Sequence, residues 1–182
     1  MIQGLLDADG LTRAGFDEPR WFRFVEQVVE TLDVGIGTKV WDAGCGAGSF
    51  LYPLSLNNYL VGGVDPAAER IAMAREAMPQ GRFEVGSSLE FNPAEAWDVV
   101  VASRGLADCR DVEDLRGLLA RMAAKATHAI ALLRVDEDNT LNVGRAGLLR
   151  LLNEIGVSAV QFEETGDRLS VFARVKALGF RL

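Results

Sequence analysis

Three glycines and two aspartates carry the chemistry this chain advertises. The run Asp42-Ala43-Gly44-Cys45-Gly46-Ala47-Gly48 follows an apolar segment and precedes a helical pattern. Glycine at alternate positions between a strand and a helix lets the backbone turn tightly and lets a ligand come close to the main chain. Asp65 follows Gly44 by 21 residues, at the end of the next apolar run. A carboxylate there is placed to accept hydrogen bonds from both hydroxyls of a ribose. Alone it would serve equally well as a helix N-cap. The glycine turn decides between the two roles.

Spacing then separates the nucleotide types. A dinucleotide fingerprint reads G-x-G-x-x-G. Here the third glycine arrives one residue early, and Ser49 holds the sixth position. Asp42, two residues before the first glycine, also brings a negative charge to the path a pyrophosphate would take, which is unfavourable at close range. A ligand bearing an ammonium and a sulfonium, such as S-adenosylmethionine, suits that carboxylate better. No Gly-Lys-Ser/Thr occurs, so a phosphate P-loop is excluded.

The remaining reactive side chains read as bystanders. His128 is the only histidine. It stands at the amino end of its strand, opposite the ligand edge, so a structural role is expected and no Ser-His-Asp or Cys-His arrangement is available. Cys45 reads as a small filler of the turn and Cys109 as a pocket-lining thiol. Two isolated cysteines make neither a disulfide framework nor a zinc site. Asp136, Glu137, Asp138 and Asn139 could offer oxygen to magnesium. The fourth strand ends in Ser103-Arg104, where such a site would want a carboxylate, so a solvated acidic loop and no metal are expected.

These residues need elements to hold them. Residues 18–33 form an amphipathic helix with Trp21, Phe22, Val25, Val28, Val29 and Leu32 on one stripe. Strands are expected at 39–42, 59–64, 82–85, 97–102 and 128–135, and helices at 48–57, 67–78, 111–126 and 143–155. Alternating strands at 158–163 and 168–176 surround the turn signal Thr165-Gly166-Asp167. Five strand–helix units imply a parallel, doubly wound α/β sheet with one antiparallel terminal strand. Ligands in such sheets bind beyond the carboxyl ends of the strands.

The bulk numbers bound the rest. One domain over residues 1–182 is expected, with an N-terminal helical segment at 1–35 and a core at 36–182. The net charge of −7 argues against a nucleic-acid partner. No apolar run approaches the ~18 residues of a membrane span, and residues 1–10 lack a signal peptide's basic start. A cytoplasmic protein is the default expectation. Oligomeric state is not legible.

At this point the motifs resemble a family. Val40-Trp41-Asp42-Ala43-Gly44-Cys45-Gly46-Ala47-Gly48-Ser49-Phe50 looks like the first motif of class I S-adenosylmethionine-dependent methyltransferases. Gly63-Val64-Asp65-Pro66, followed by Ile71-Ala72-Met73-Ala74-Arg75, resembles their second motif. Trp97-Asp98-Val99-Val100-Val101-Ala102-Ser103 is similar to their fourth-strand motif. The resemblance runs from about Trp21 to Lys176. It implies a Rossmann-like sheet of seven strands in the order 3-2-1-4-5-7-6. It implies that Asp42, Gly44, Cys45 and Gly46 surround the methionine half of the cofactor, and that Asp65, with Pro66 beside it, holds the ribose. Ser87, Ser88 and Leu89 would flank the adenine. Ser103 and Arg104 would offer backbone carbonyls to the methionine ammonium. Two departures stand out: Ser87 replaces a common aspartate, and Trp41 replaces an aliphatic residue and must pack under the sheet.

The expected function is methyl transfer to a small-molecule acceptor at O, N or C. The Asn/Asp-Pro-Pro-aromatic run that marks methylation of base amino groups is absent after the fourth strand. Asp108 and Asp136 are the candidates for a base, and no catalytic residue is fixed. The alternative is a cofactor-binding accessory subunit without activity of its own. Residues 1–24 carry Leu5, Leu6, Leu11 and Phe16 and are expected to wall the acceptor side as a lid.

Overall fold

A computed structural model describes residues 18–104, 106–133, 135, 141, 143–165 and 168–175. Residues 1–17 of the expected lid segment 1–24, the acidic loop Asp136–Asn139 and the turn residues Gly166 and Asp167 therefore lie outside the described residues.

The chain alternates as its patterning requires. Helix α1 spans Glu18–Leu32, strand β1 Lys39–Ala43, α2 Leu51–Leu56, β2 Leu60–Asp65, α3 Ala68–Ala77 and β3 Arg82–Val85. Then come β4 Trp97–Ala102, α4 Val112–Lys125, β5 Ala126–Leu132, α5 Arg145–Glu154, β6 Val157–Thr165 and β7 Arg168–Val175. The seven strands form one sheet in the order β3-β2-β1-β4-β5-β7-β6, as the resemblance implied. Strands β1 to β5 run parallel, and β7 pairs antiparallel with both β5 and β6. The order reverses between β1 and β4, which opens a crevice at the carboxyl ends of these strands.

Several boundaries moved, most of all those of β5 and α2. Strand β5 begins at Ala126 and ends at Leu132, where residues 128–135 were expected. Helix α4 hands over to it without a loop, so Ala126 and Thr127 already extend along β4. Helix α2 is confined to Leu51–Leu56, because residues 48–50 still belong to the turn.

Two apolar layers cover the sheet. Trp41, Trp97, Val100, Ile130 and Leu132 pack against α4 and α5. Val40, Val61, Val99, Val101 and Ala131 pack against α1, α2 and α3. Alternate residues of β1 and β4 thus serve opposite faces, as the strand period demands. Trp41 is 1% exposed and lies against Trp97, ring centroids 5.0 Å apart. Its bulk is admitted by Gly62, where a Cβ would come within 2.8 Å of the Trp41 ring and 2.7 Å of Trp97. Helix α1 buries Phe24, Val25, Val28 and Leu32. Phe24 was not in the expected stripe. Among the described residues, no helix is long and apolar enough to cross a membrane.

The glycines at the centre of the sheet and on a helix surface should answer substitution with opposite signs. A Cβ at Gly63 would stand 2.6 Å from the Cys45 Cβ and 2.8 Å from the Asp42 carbonyl oxygen, and backbone cannot step aside. Gly63→Ala should cost about 1–3 kcal/mol through overpacking. Gly117 lies within α4 with nothing within 4 Å of its Cβ position. Gly117→Ala should stabilise by up to about 1 kcal/mol through helix propensity. Urea unfolding midpoints of the two variants check both signs.

Candidate functional site

The glycine turn is built by spending its own amides. The Gly44 and Cys45 N–H groups both donate to the Val64 carbonyl at 2.9 Å. The Gly46 N–H donates to Asp65 Oδ2 at 2.9 Å, and the Gly48 N–H to the Cys45 carbonyl at 2.9 Å. Gly44, Gly46 and Gly48 have φ of 85°, 56° and 87°, a region where a side chain is strained. The turn is thereby stitched to the end of β2. Little donor capacity is left on it for a pyrophosphate.

Asp65 is 3% exposed and works on two sides. Oδ2 takes the Gly46 amide and Oδ1 takes the Ala67 amide at 3.0 Å. The second bond opens α3, so the N-cap-like role and the ligand role are not exclusive. Each carboxylate oxygen can accept more than one hydrogen bond, which leaves capacity for ribose hydroxyls.

Asp42 is fully buried. Ser103 grips it with both of its donors, the amide to Oδ1 at 3.0 Å and the hydroxyl to Oδ2 at 2.5 Å. The carboxylate thus bolts the end of β1 to the end of β4. Burial pushes its pKa up to about 6; the Ser103 bonds and the nearby Arg104 charge pull the other way, and Asp65 adds to the rise. The Ser103 amide and hydroxyl are therefore turned beneath the turn, toward Asp42.

Two side chains from the segment after β4 reach over the turn. The Arg104 Nη1 lies 3.5 Å from the place where a Cβ on Gly46 would stand. The Asp108 Oδ2 lies 3.8 Å from the corresponding place on Gly44 and accepts the Ser88 hydroxyl. Ser88 is buried, whereas Ser87 is exposed and uses its hydroxyl on the Leu89 amide at 3.1 Å. Arg121 of α4 holds the Leu89 carbonyl at 2.9 Å. Pro66 is exposed beside Asp65. The residues expected at the cofactor therefore converge on one edge, where β1, β2, β3 and β4 end.

Residues 40–127 match a family model described as a methyltransferase domain. The match spans just under half of the chain and makes it similar to the class I, S-adenosylmethionine-dependent methyltransferases. A ubiquinone biosynthesis O-methyltransferase of Bradyrhizobium sp. (strain ORS 278) is 31% identical over 106 residues, 56% of this chain and 41% of that protein. A 23S rRNA uracil-C5-methyltransferase of Thiobacillus denitrificans is 34% identical over 74 residues, 38% of this chain and 17% of that protein. The chain thus spans less than half the length of these curated relatives. Among solved structures, an S-adenosylmethionine-bound amino pentose methyltransferase from Micromonospora echinaspora shares the fold at a TM-score of 0.71 and 14% identity, covering 95% of this chain and 99% of that one. The magnesium protoporphyrin IX methyltransferase of Synechocystis PCC 6803 does so at 0.67 and 19%, covering 95% and 86%. At these identities the likeness is one of fold.

The bystanders stay apart from this edge of the sheet. His128 Nε2 lies 3.1 Å from the Leu32 carbonyl at the end of α1 and 2.6 Å from Arg174 Nη1. A guanidinium only donates, so Nε2 accepts and the ring proton belongs on Nδ1. Arg174 also reaches the Leu32 carbonyl, at 3.3 Å. Arg174, donating to both His128 Nε2 and the Leu32 carbonyl, ties the end of α1 to β5 and β7, away from the glycine turn. Cys45 is 5% exposed, and burial holds its thiol well above the ordinary range. Burial, with Asp114 and Asp108 adding, pushes Cys109 up to about 12. Neither thiol is a ready nucleophile at neutral pH. Among the described residues, no group of three His, Cys, Asp or Glu side chains could hold a metal ion.

Two features escaped the sequence. Arg104 entered only through its carbonyl, yet its guanidinium is what lies over Gly46. Asp108 entered only as a candidate base, yet it closes onto Ser88 across the cleft. Both contacts join loops that follow different strands, and no spacing rule reports them.

The Asp42 bolt predicts a pH signature. A buried carboxylate with a raised pKa favours the folded state when protonated. Its contribution is present below about pH 4 and declines as pH rises toward 6, by on the order of 3 kcal/mol at about 1.4 kcal/mol per unit. Asp42→Asn cannot ionise. Subtracting its stability–pH curve from that of the parent should show a decline confined to pH 4–6 and flat outside it. Urea titrations at pH steps measure this.

Proposed function

We propose that this protein transfers the methyl group of S-adenosylmethionine to a small-molecule acceptor. One observation carries the cofactor reading: the glycine turn leaves an open cradle but few free amides. At Gly44 and Gly46 an added Cβ would project into space that, among the described residues, only Ser88, Asp108 and Arg104 enter. The turn therefore accepts a ligand by shape and by its flanking carboxylates, Asp42 and Asp65, and not by a nest of N–H donors. That donor set fits an adenosyl ligand with a cationic end and fits a pyrophosphate poorly.

When bound, the cofactor supplies a methyl group already activated on a sulfonium. The residues of this chain then have modest tasks. Asp65 holds the ribose hydroxyls. Ser88 and Leu89 border the adenine side. Asp42 and Ser103 fix the β1–β4 junction on which the methionine half rests. Rate comes mainly from alignment of the acceptor with the methyl group. Where the acceptor atom carries a proton, Asp108 is the described carboxylate at the cleft that can take it.

Three observations support a small acceptor over a nucleic acid. The net charge is −7, which opposes a phosphate backbone. The relatives matched over the most residues are named as ubiquinone biosynthesis O-methyltransferases. The rRNA-modifying relative is matched over only 17% of its length.

S-adenosylhomocysteine, the product form, should raise the melting temperature, and NAD should not. At a hundredfold excess over the dissociation constant the gain is about 2.7 kcal/mol. A shift with NAD alone would refute the reading. Asp65→Ala should weaken S-adenosylhomocysteine roughly tenfold or more, since each charge-assisted hydrogen bond lost costs about 1.5–3 kcal/mol. Gly46→Val should abolish binding, because its side chain fills the cradle at a positive φ. His128→Ala should bind as the parent does. Calorimetry on the three variants checks the set. Turnover over a panel of phenols, amines and hydroxylated acids then tests transfer; binding with no turnover would favour the accessory-subunit alternative.

A further inference from the structure

We propose that the Arg104 side chain reads the α-carboxylate of the cofactor's methionine half, and so makes the cleft selective for adenosyl ligands that carry an amino-acid end. The proposal rests on the S-adenosylmethionine reading above and assigns a residue to one end of that ligand.

The methionine half is a zwitterion, so its binding surface must answer an anion as well as a cation. An anion leaving water needs donors, and a charged partner where other anions are near. The glycine turn offers few donors. The Gly44, Cys45, Gly46 and Gly48 amides are all committed, to Val64, Val64, Asp65 and Cys45 in turn. The nearest buried groups are themselves anionic: Asp42 is 0% exposed and Asp65 3%. A ligand carboxylate set down on this surface without a cation would meet repulsion from both carboxylates and few donors.

Arg104 supplies what is missing. Among the described residues beyond its chain neighbours, Arg104 Nη1 alone comes within 4 Å of the Cβ position on Gly46, so a ligand lying over that glycine meets the guanidinium. The side chain is exposed and makes no hydrogen bond or ion pair with the described residues. Its five donors are thus uncommitted. The arginines that follow it, before and along α4, are occupied: Arg110 pairs with Asp114, Arg116 with Glu154, and Arg121 with the Leu89 carbonyl. Nor is its position left to chance. Ser103, the preceding residue, is anchored by its amide and hydroxyl to buried Asp42. That anchor delivers residue 104 to the rim of the turn. A guanidinium presents two parallel N–H groups in the geometry of a carboxylate, which an ammonium cannot do.

The test uses the full chain, two ligands and two variants. The ligands are S-adenosylhomocysteine and its decarboxylated analogue, S-adenosyl-3-thiopropylamine, which keeps the adenosine, the sulfur and the amine. Calorimetry on the parent should show the carboxylate-bearing ligand bound about tenfold or more tightly, the value of one charge-assisted contact. Arg104→Met keeps the length of the side chain and removes the charge. It should lose about tenfold for S-adenosylhomocysteine, hold its affinity for the analogue, and bring the two within about twofold. Arg104→Lys should recover only part of the preference. Because the residue is exposed, the unliganded melting temperature of both variants should equal that of the parent, which separates loss of recognition from loss of fold. An Arg104→Met protein that keeps the parent's preference between the two ligands overturns the assignment. A parent protein that binds neither ligand overturns the cofactor reading beneath it, and is told apart by that first measurement.

Discussion

The site depends on keeping one charge out of water. Asp42 sits at the end of β1 in the middle of a seven-stranded sheet, with no solvent contact. Such a charge is tolerated only with partners, and Ser103 provides two hydrogen bonds from the end of β4. Strands β1 and β4 flank the point where strand order reverses. The same pair of bonds therefore fixes the width of the crevice and the departure direction of both loops that line it. Burial raises the Asp42 pKa, so the bolt strains the fold at neutral pH while it organises the site. Functional sites commonly hold such groups in perturbed states.

A second constraint follows from the first. The turn after Asp42 must reverse direction at once, and it does so by giving its amides to the end of β2. Gly63 of β2 lies directly beneath it, and a side chain there would collide with Cys45 and with the Asp42 carbonyl. The two strand glycines, Gly62 and Gly63, serve opposite faces. Gly62 makes room for Trp41 and Trp97, and Gly63 makes room for the turn. Glycine weakens a strand by entropy and lost packing, and here that cost is offset by the bulk it admits.

Much of this was legible before any coordinates. Strands β3 and β4 begin and end where alternation and the valine run of residues 99–101 place them. The order of the seven strands followed from family likeness, and the parallel arrangement from the helix–strand alternation alone. The glycine spacing and Asp65 pointed to the edge where β1, β2, β3 and β4 end. What stayed hidden has a common cause. The β5 register moved because α4 runs into it without a turn residue to mark the junction. Phe24 joined the α1 interface because that helix packs on both α2 and β7, a wider surface than one stripe covers. The Ser88–Asp108 contact and the position of the Arg104 guanidinium arise from loops after different strands meeting over one turn. Periodicity reports which face a residue serves, and it carries no information on which loops meet.

The charge inventory of the cleft ties these points together. Glycine-rich strand–helix turns usually serve anions, because free amides and a helix N-terminus sum to a positive field. This turn has been converted to the opposite use. Its amides are consumed by Val64 and Asp65, a carboxylate lies beneath it, and a second lies beside it. Helix α2 begins only at Leu51, three residues beyond the last glycine. The field over the turn is therefore set by side chains: Asp42 and Asp65 below and beside, Asp108 and Arg104 above. A surface of that kind discriminates by charge pattern. It repels a polyanion such as a pyrophosphate and favours a ligand with a cation near the buried aspartate. The one exposed guanidinium over Gly46 then fixes where, along such a ligand, a negative charge is tolerated.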